Sequence, residues 1–434
     1  MQLAKYSFTF FIFLFLLSCF GPFKEIKYQI EDSWDDSESS PHNPKLLTDI
    51  VNQLDVSLIS FADFDGSISK NLSPAITEKN FLFPSVEGHI TNYNIEKNKK
   101  IWSYKHNSLI SAGLSHNDKQ LFFVDSQGFL CAIDLSNGLL EWKTFVGEVY
   151  GLPTIAVNQV FVKSFNGKIY ALNSNDGSYN WSYQLPTAQL AIKSWGKLIF
   201  NDERIYSGAA NGKILSINAT NGSLVWETTY SQPKSSSELA RANETTSDPV
   251  IDDFAIYVVS VNGNIASIEK NNGSIIWSRP LSSFYGMTIN SSSIYVSHNS
   301  GAIYSLNKLT NEVLWRNSDL IGRDISKPIF YNNLIFVSDY EGYIHFLDSE
   351  TGKIIARIKV SNSPVLLDQE NILGDKIFIS DLEGNIFYIL LNKLNNEPHI
   401  NGRDPKEQKI DKMVDENQTI QEDVNLLDKI IFWD

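Results

Sequence analysis

A chain of 434 residues with a formal net charge of −14 argues against nucleic acid as its partner, which wants a basic face. Its two cysteines exclude a disulfide framework as the source of stability. The length admits two or three average domains or one large repetitive unit.

The N-terminus reads as a targeting segment. Lys5 supplies a positive start, and Phe8 to Leu17 is an apolar run too short to span a membrane. The run ends in Leu16-Leu17-Ser18-Cys19, which resembles the lipobox of bacterial lipoproteins. That resemblance implies a signal peptide over residues 1–18 and a diacylated Cys19 as the first mature residue. Phe20, where an Asp commonly retains lipoproteins at the inner membrane, implies the outer membrane as the address. A plain secretory signal with an incidental cysteine is the competing reading. Residues 19–53 carry Glu31, Asp32, Asp35, Asp36 and Glu38 among serines and are expected to be a flexible acidic tether. Asp55 to Phe61 then alternates like a strand, too far ahead of the first repeat to belong to its inner strands.

The repeat follows. A glycine is answered by a tryptophan fourteen positions later at Gly88/Trp102, Gly128/Trp142, Gly167/Trp181, Gly212/Trp226, Gly263/Trp277 and Gly301/Trp315. A seventh unit has Gly342 but Ala356, and an eighth begins at Gly384. Each unit reads as several short strands, as in Lys168 to Leu172, a turn, and the return Ser178 to Tyr183. Aliphatic residues stand two positions after every glycine (Ile90 to Ile386) and apolar ones five after (Tyr93 to Ile389), on opposite faces of a strand. Gly or Asn stands ten after, at Asn98, Gly138, Gly177, Gly222, Gly273, Asn311 and Gly352, which predicts a left-handed turn position. A period near 40 residues with about four strands per unit predicts an all-β fold, an eight-bladed β-propeller of four-stranded antiparallel blades over residues 54–394. Asp55 to Phe61 is expected to be the outer strand of the last blade, closing the ring and removing an open edge. The six tryptophans are expected to dock blade on blade, each N–H finding a backbone acceptor, and not to stack a ligand.

Two connections are longer than the rest, Pro186 to Asn201 and Ser231 to Asp248. Each joins an outer strand to the next inner strand, so both emerge on one rim as neighbours. Long loops on a rigid scaffold are where function concentrates. Residues 395–434 form a polar tail in which Leu426, Leu427, Ile430 and Ile431 have helical spacing.

Local catalytic motifs are absent. No histidine has another within four residues, and there is no HExxH, Gly-x-Ser-x-Gly or phosphate-binding Gly-Lys-Ser/Thr. No catalytic residue, metal ligand or cofactor is therefore expected. Cys131 lies in a strand core and reads as a small buried hydrophobe.

The strand–turn Gly–Trp unit resembles the pyrroloquinoline-quinone-type propeller repeat. Dehydrogenases of that kind carry adjacent cysteines and acidic calcium ligands, and this chain has no cysteine pair. Asn71-Leu72-Ser73-Pro74-Ala75, Leu314 to Leu320 and Asp339 to Phe346 resemble the outer-membrane protein assembly factor BamB family over most of residues 54–394. The resemblance implies a non-enzymatic, outer-membrane, periplasm-facing lipoprotein scaffold of the β-barrel assembly (BAM) complex. It implies contact with the barrel subunit BamA and service to unfolded outer-membrane clients. Family contact motifs are a Leu-x-Leu-Arg segment and an acidic-x-acidic pair on successive long connections. They map to Leu190, Ile192 and Lys193, and to Glu244 and Thr246. Lys193 replaces a planar multi-donor Arg, and Thr246 replaces an acid. A quinoprotein dehydrogenase, or a propeller lipoprotein serving another periplasmic partner, is the alternative.

Overall fold

The computed structural model describes residues 44–64, 66–186, 196–232 and 244–392. The signal peptide, Cys19 and the polar tail lie outside the described residues. Eight antiparallel sheets follow one another in chain order, seven of four strands and the eighth of five. Blade three is typical: Thr154–Ala156, Gln159–Lys163, Lys168–Asn173 and Tyr179–Gln184, paired in that order from axis to rim. Blade eight takes its outer strand from the N-terminus, Asp55–Asp63, paired along Asn385–Asn392. A short fifth strand, Ile372–Leu373, follows a single 3-10 turn over Gln369–Asn371.

The repeat pattern sets the packing. All eight aliphatic residues two after the glycine are fully buried. On blade three, Ile169 packs with Ile205 and Leu215 of blade four, while Leu172 faces Val124 and Leu130 of blade two. The core is thus a set of layers between blades, one layer per interface. Each such side chain contributes about 1.5–3 kcal/mol of burial.

Each of the six repeat tryptophans donates its indole N–H to the carbonyl of the next repeat at one fixed position: Trp102 to Leu135, Trp142 to Ser174, Trp181 to Ala219, Trp226 to Lys270, Trp277 to Lys308 and Trp315 to Ser349, at 2.8–3.1 Å. The ring lies over the next blade's turn, where φ is positive at all seven Gly or Asn positions. At Gly138 a β-carbon would stand 2.7 Å from the Trp102 ring, so both conformation and space demand glycine.

Ala356 breaks the pattern for a reason the topology supplies. Blade eight has no hairpin between its third and outer strands, because the outer strand comes from the other end of the chain. A tryptophan on blade seven would have no turn to lie on. Ala356 instead shares a cluster with Leu54 and Val56 of the N-terminal segment. At the next interface Phe61, bulged out between Ser60 and Ala62, meets Phe378 and Tyr388 of blade eight and Phe81 and Tyr93 of blade one edge-on, at 5.4–6.3 Å.

Residues 44–53 correct the expectation of a free tether. Lys45 N–H donates to Ile321 O, Gln53 N–H to Ile355 O, and Asn52 exchanges hydrogen bonds with the Arg357 backbone. Their carbonyls are gripped as well: Arg323 Nη1 donates to Lys45 O and Arg357 Nη1 to Thr48 O. The acidic, serine-rich part of the expected tether lies outside the described residues; residues 44–53 hold a single acid and are held by donors from the buried Arg323 and the half-buried Arg357.

Candidate functional site

The connections into the innermost strands converge on the propeller axis and enclose a cavity of about 240 Å³. A second space of about 540 Å³ continues from it, sharing Leu152 and Lys197 in its wall. Blades one and three to eight all contribute to the mouth, through residues such as Lys70, Tyr150, Lys197, Asp248, Tyr285, Lys327 and Asp368. None of these was singled out from sequence. Their signal is position alone: all but Asp368 lie just before an inner strand, and Asp368 just after the inner strand Val365–Leu366.

The mouth is electrostatically self-satisfied. Lys70 pairs with Asp324 at 3.6 Å, Lys327 with Asp248 at 3.5 Å, and Lys197 with Glu370. Burial opposes the charge on Lys197, but Glu370, Asp248 and Asp368 outweigh it and hold the ammonium at about 12. Lys163 is the opposite case. Burial pushes it down to about 8, with Asp248 and Glu244 only partly restoring its charge. Burial and the neighbouring Glu370 raise the Asp368 carboxyl above the ordinary range. A quinone bearing several carboxylates does not fit this donor set. Lys70, Lys197 and Lys327 already serve the chain's own acids, and no cysteine pair lines the wall.

The two long connections meet at this mouth. Lys197 N–H donates to Asp248 Oδ1 at 2.8 Å, and Gly196 lies so close to Ser247 that a β-carbon would stand 2.9 Å from its carbonyl oxygen. Leu190, Ile192 and Lys193 lie outside the described residues. Glu244 and Thr246, expected at a partner surface, are only 6% and 3% exposed. This corrects their placement. Residues 244–248 run inward along the wall: Val261 N–H donates to Glu244 O, Thr245 shares a 2.5 Å hydrogen bond with Tyr230, and Thr246 Oγ1 donates to Phe284 O. Spacing located the connection but could not show which way it turned.

Eight blades around an ion-paired axial mouth, with two long connections meeting at it, define a propeller of the scaffold class. The chain belongs to the BamB family, the outer membrane protein assembly factors, whose model matches residues 86–317. Relatives named outer membrane protein assembly factor BamB include those of Shewanella oneidensis and Escherichia coli. The first is 28% identical, covering 76% of this chain and 87% of the relative; the second is 26% identical over 75% and 85%. Among solved structures, BamB from Moraxella catarrhalis superposes with a TM-score of 0.70 at 21% identity, over 77% of this chain and all of that one. A quinohemoprotein alcohol dehydrogenase from Comamonas testosteroni shares the fold at a TM-score of 0.62 and 10% identity, over 78% and 77% of the two chains.

Proposed function

We propose that the chain is a non-enzymatic scaffold of the BAM complex, lipid-anchored through Cys19 at the periplasmic face of the outer membrane, that docks on BamA and assists outer-membrane β-barrel assembly. The observation that carries this reading is the pairing of family membership with two long connections that meet on one rim. Leu190 and Ile192 flank Ala191, a spacing that would put both side chains on one side of the segment if it bound BamA in extended form. Two buried aliphatic side chains contribute about 1.5–3 kcal/mol each, less the cost of ordering the loop. An exposed lysine contact adds about 0.2–1 kcal/mol. With Glu244 turned inward, the apolar pair carries docking and Lys193 tunes it.

The test is pull-down from detergent-solubilised envelope. Leu190→Ala with Ile192→Ala is expected to abolish co-purification of BamA while leaving the melt unchanged, and Lys193→Ala to weaken it modestly. Normal capture by the double variant would remove the rim from the docking surface. Fractionation checks the address, because Cys19→Ala is expected to leave the outer-membrane fraction.

A further inference from the structure

Three of the eight repeat glycines are preceded, three residues earlier, by an aspartate: Asp125, Asp339 and Asp381. Each uses Oδ1 to accept two backbone N–H groups of its own turn: Gln127 and Phe129, Glu341 and Tyr343, and Glu383 and Asn385. The second oxygen is left to be satisfied inside the protein. Asp381 Oδ2 receives Ser361 and Asn385, both at 2.7 Å. Asp339 Oδ2 receives Arg323 Nε at 2.8 Å and His345 Nε2 at 2.9 Å. Asp125 Oδ2 has a single donor among the described residues, His106 Nε2 at 3.0 Å. No Lys or Arg of the described residues pairs with it.

Near that carboxylate is a thiol, which donates to Phe129 O at 3.7 Å. Cys131 stands three residues after its glycine, the place His345 holds in repeat seven. The Cys131 sulfur, an Asp125 oxygen and a His106 nitrogen lie within 4.8 Å of one another. The three residues are 0%, 3% and 8% exposed. His106 is oriented from behind, its Nδ1 lying 3.0 Å from the Tyr104 hydroxyl, which leaves Nε2 aimed at Asp125.

We propose that His106, Asp125 and Cys131 form a buried site for a thiophilic divalent cation, of which zinc is the natural occupant. A sulfur, an imidazole nitrogen and a carboxylate oxygen are the ligands zinc takes at about 2.0–2.3 Å, with a fourth position left for water. On binding, the Cys131 S–H bond breaks, its proton leaves to solvent, and a sulfur–metal bond forms. In the empty site the neutral imidazole carries its proton on Nε2, donates it to Asp125 and accepts from the Tyr104 hydroxyl at Nδ1. On binding it changes tautomer, losing the Nε2 proton and gaining one on Nδ1, so that Nδ1–H donates to the Tyr104 oxygen and the freed Nε2 lone pair bonds the metal. Asp125 Oδ1 keeps its two turn hydrogen bonds while Oδ2 becomes a ligand. One dication, one thiolate and one carboxylate sum to zero, so the interior carries no net charge. The ligands come from two repeats, at spacings of 19 and 6 residues, and leave no local motif in the sequence.

Cobalt is the probe. Cys19→Ser leaves Cys131 as the one thiol in the chain, and that full-length protein is refolded from denaturant after chelation so that burial does not bar entry. One equivalent of Co²⁺ is expected, with a near-ultraviolet thiolate-to-cobalt charge-transfer band that Zn²⁺ abolishes, and Zn²⁺ is expected to raise the melting temperature. Cys131→Ala should remove the band. Tyr104→Phe, which removes only the outer partner of His106, should keep the band and weaken affinity about tenfold. A refolded chain with an intact cooperative melt but no band overturns the site, as does a band that survives Cys131→Ala. Should Cys131→Ala fail to fold, the Tyr104→Phe affinity and the Co²⁺ spectrum of the parent still decide.

Discussion

From blade one to blade seven, each indole is handed from an outer strand to the next blade, which receives it on a turn Gly or Asn and a carbonyl. From blade seven round to blade one the chain has no such turn to offer, and the N-terminal segment supplies Leu54, Val56 and Phe61 instead. The first five interfaces are joined by local repeats, and the sixth adds only Leu47 of the N-terminal segment at the edge of its indole-docked cluster. The last two depend on residues more than 300 positions away from their partners, as in the pairing of Val56 with Leu391. The closure therefore fails as a unit, whereas a Trp-docked interface fails one contact at a time.

Deleting residues 44–61 breaks the comparison most severely. It strips blade eight of its outer strand and bares the edge of Asn385–Asn392. Expected outcomes are aggregation on light scattering and loss of a single cooperative melt, while deletion of 44–53 alone keeps the ring closed with a smaller loss. A truncated 44–61 chain that melts like the parent would show that the closing strand is dispensable.

Next in size is the exchange of the two docking modes. Trp181→Ala removes a docked indole and leaves Ala219 O without its donor, costing about 3–5 kcal/mol by the range for large aromatic truncations. Ala356→Trp restores the repeat consensus at blade seven, yet it forces an indole into a fully buried position with no turn beneath it. Overpacking of that kind costs about 1–3 kcal/mol. Denaturant midpoints check both, and a stabilised Ala356→Trp chain would refute the account of why the pattern breaks.

The glycine–tryptophan register made the eight blades and the closing strand legible in the sequence, because every unit repeats the same burial and turn demands. What stayed hidden has one physical character: contacts made between repeats by groups whose sequence neighbours say nothing of them. Arg323 and Arg357 reach Lys45 and Thr48 through main-chain carbonyls, which carry no sequence signature. Glu244 looks like a surface acid until its segment is seen to turn inward. His106, Asp125 and Cys131 each read as ordinary strand or turn residues on their own.

The smallest expected effect is also the most specific to the closure. Docked indoles carry no titratable group, but the strap is held by a buried chain of them. Arg357 Nε, a donor only, points at His345 Nδ1 at 3.0 Å, so that nitrogen accepts and the imidazole is neutral, with its proton on Nε2 donated to Asp339. Burial, with Arg357 and Arg323 nearby, holds the folded His345 pKa below its ordinary value of 6.5, against the pull of Asp339. Burial also works against the Asp339 charge, but His345 and Arg323 outweigh it and keep that carboxyl below its ordinary value of 3.8. Below about pH 6.5 the unfolded chain takes up a proton on this histidine that the folded chain resists, so stability falls with falling pH in that window and is fully present above it. A further loss follows near pH 4 and below, where the unfolded Asp339 carboxyl protonates before the folded one. His345→Gln can donate to Asp339 and accept from Arg357 without titrating. It is expected to keep the strap and flatten the melting-temperature profile between pH 7.5 and 5. A profile unchanged by that substitution would place the acid sensitivity elsewhere and leave the closure as indifferent to pH as the indole-docked blades.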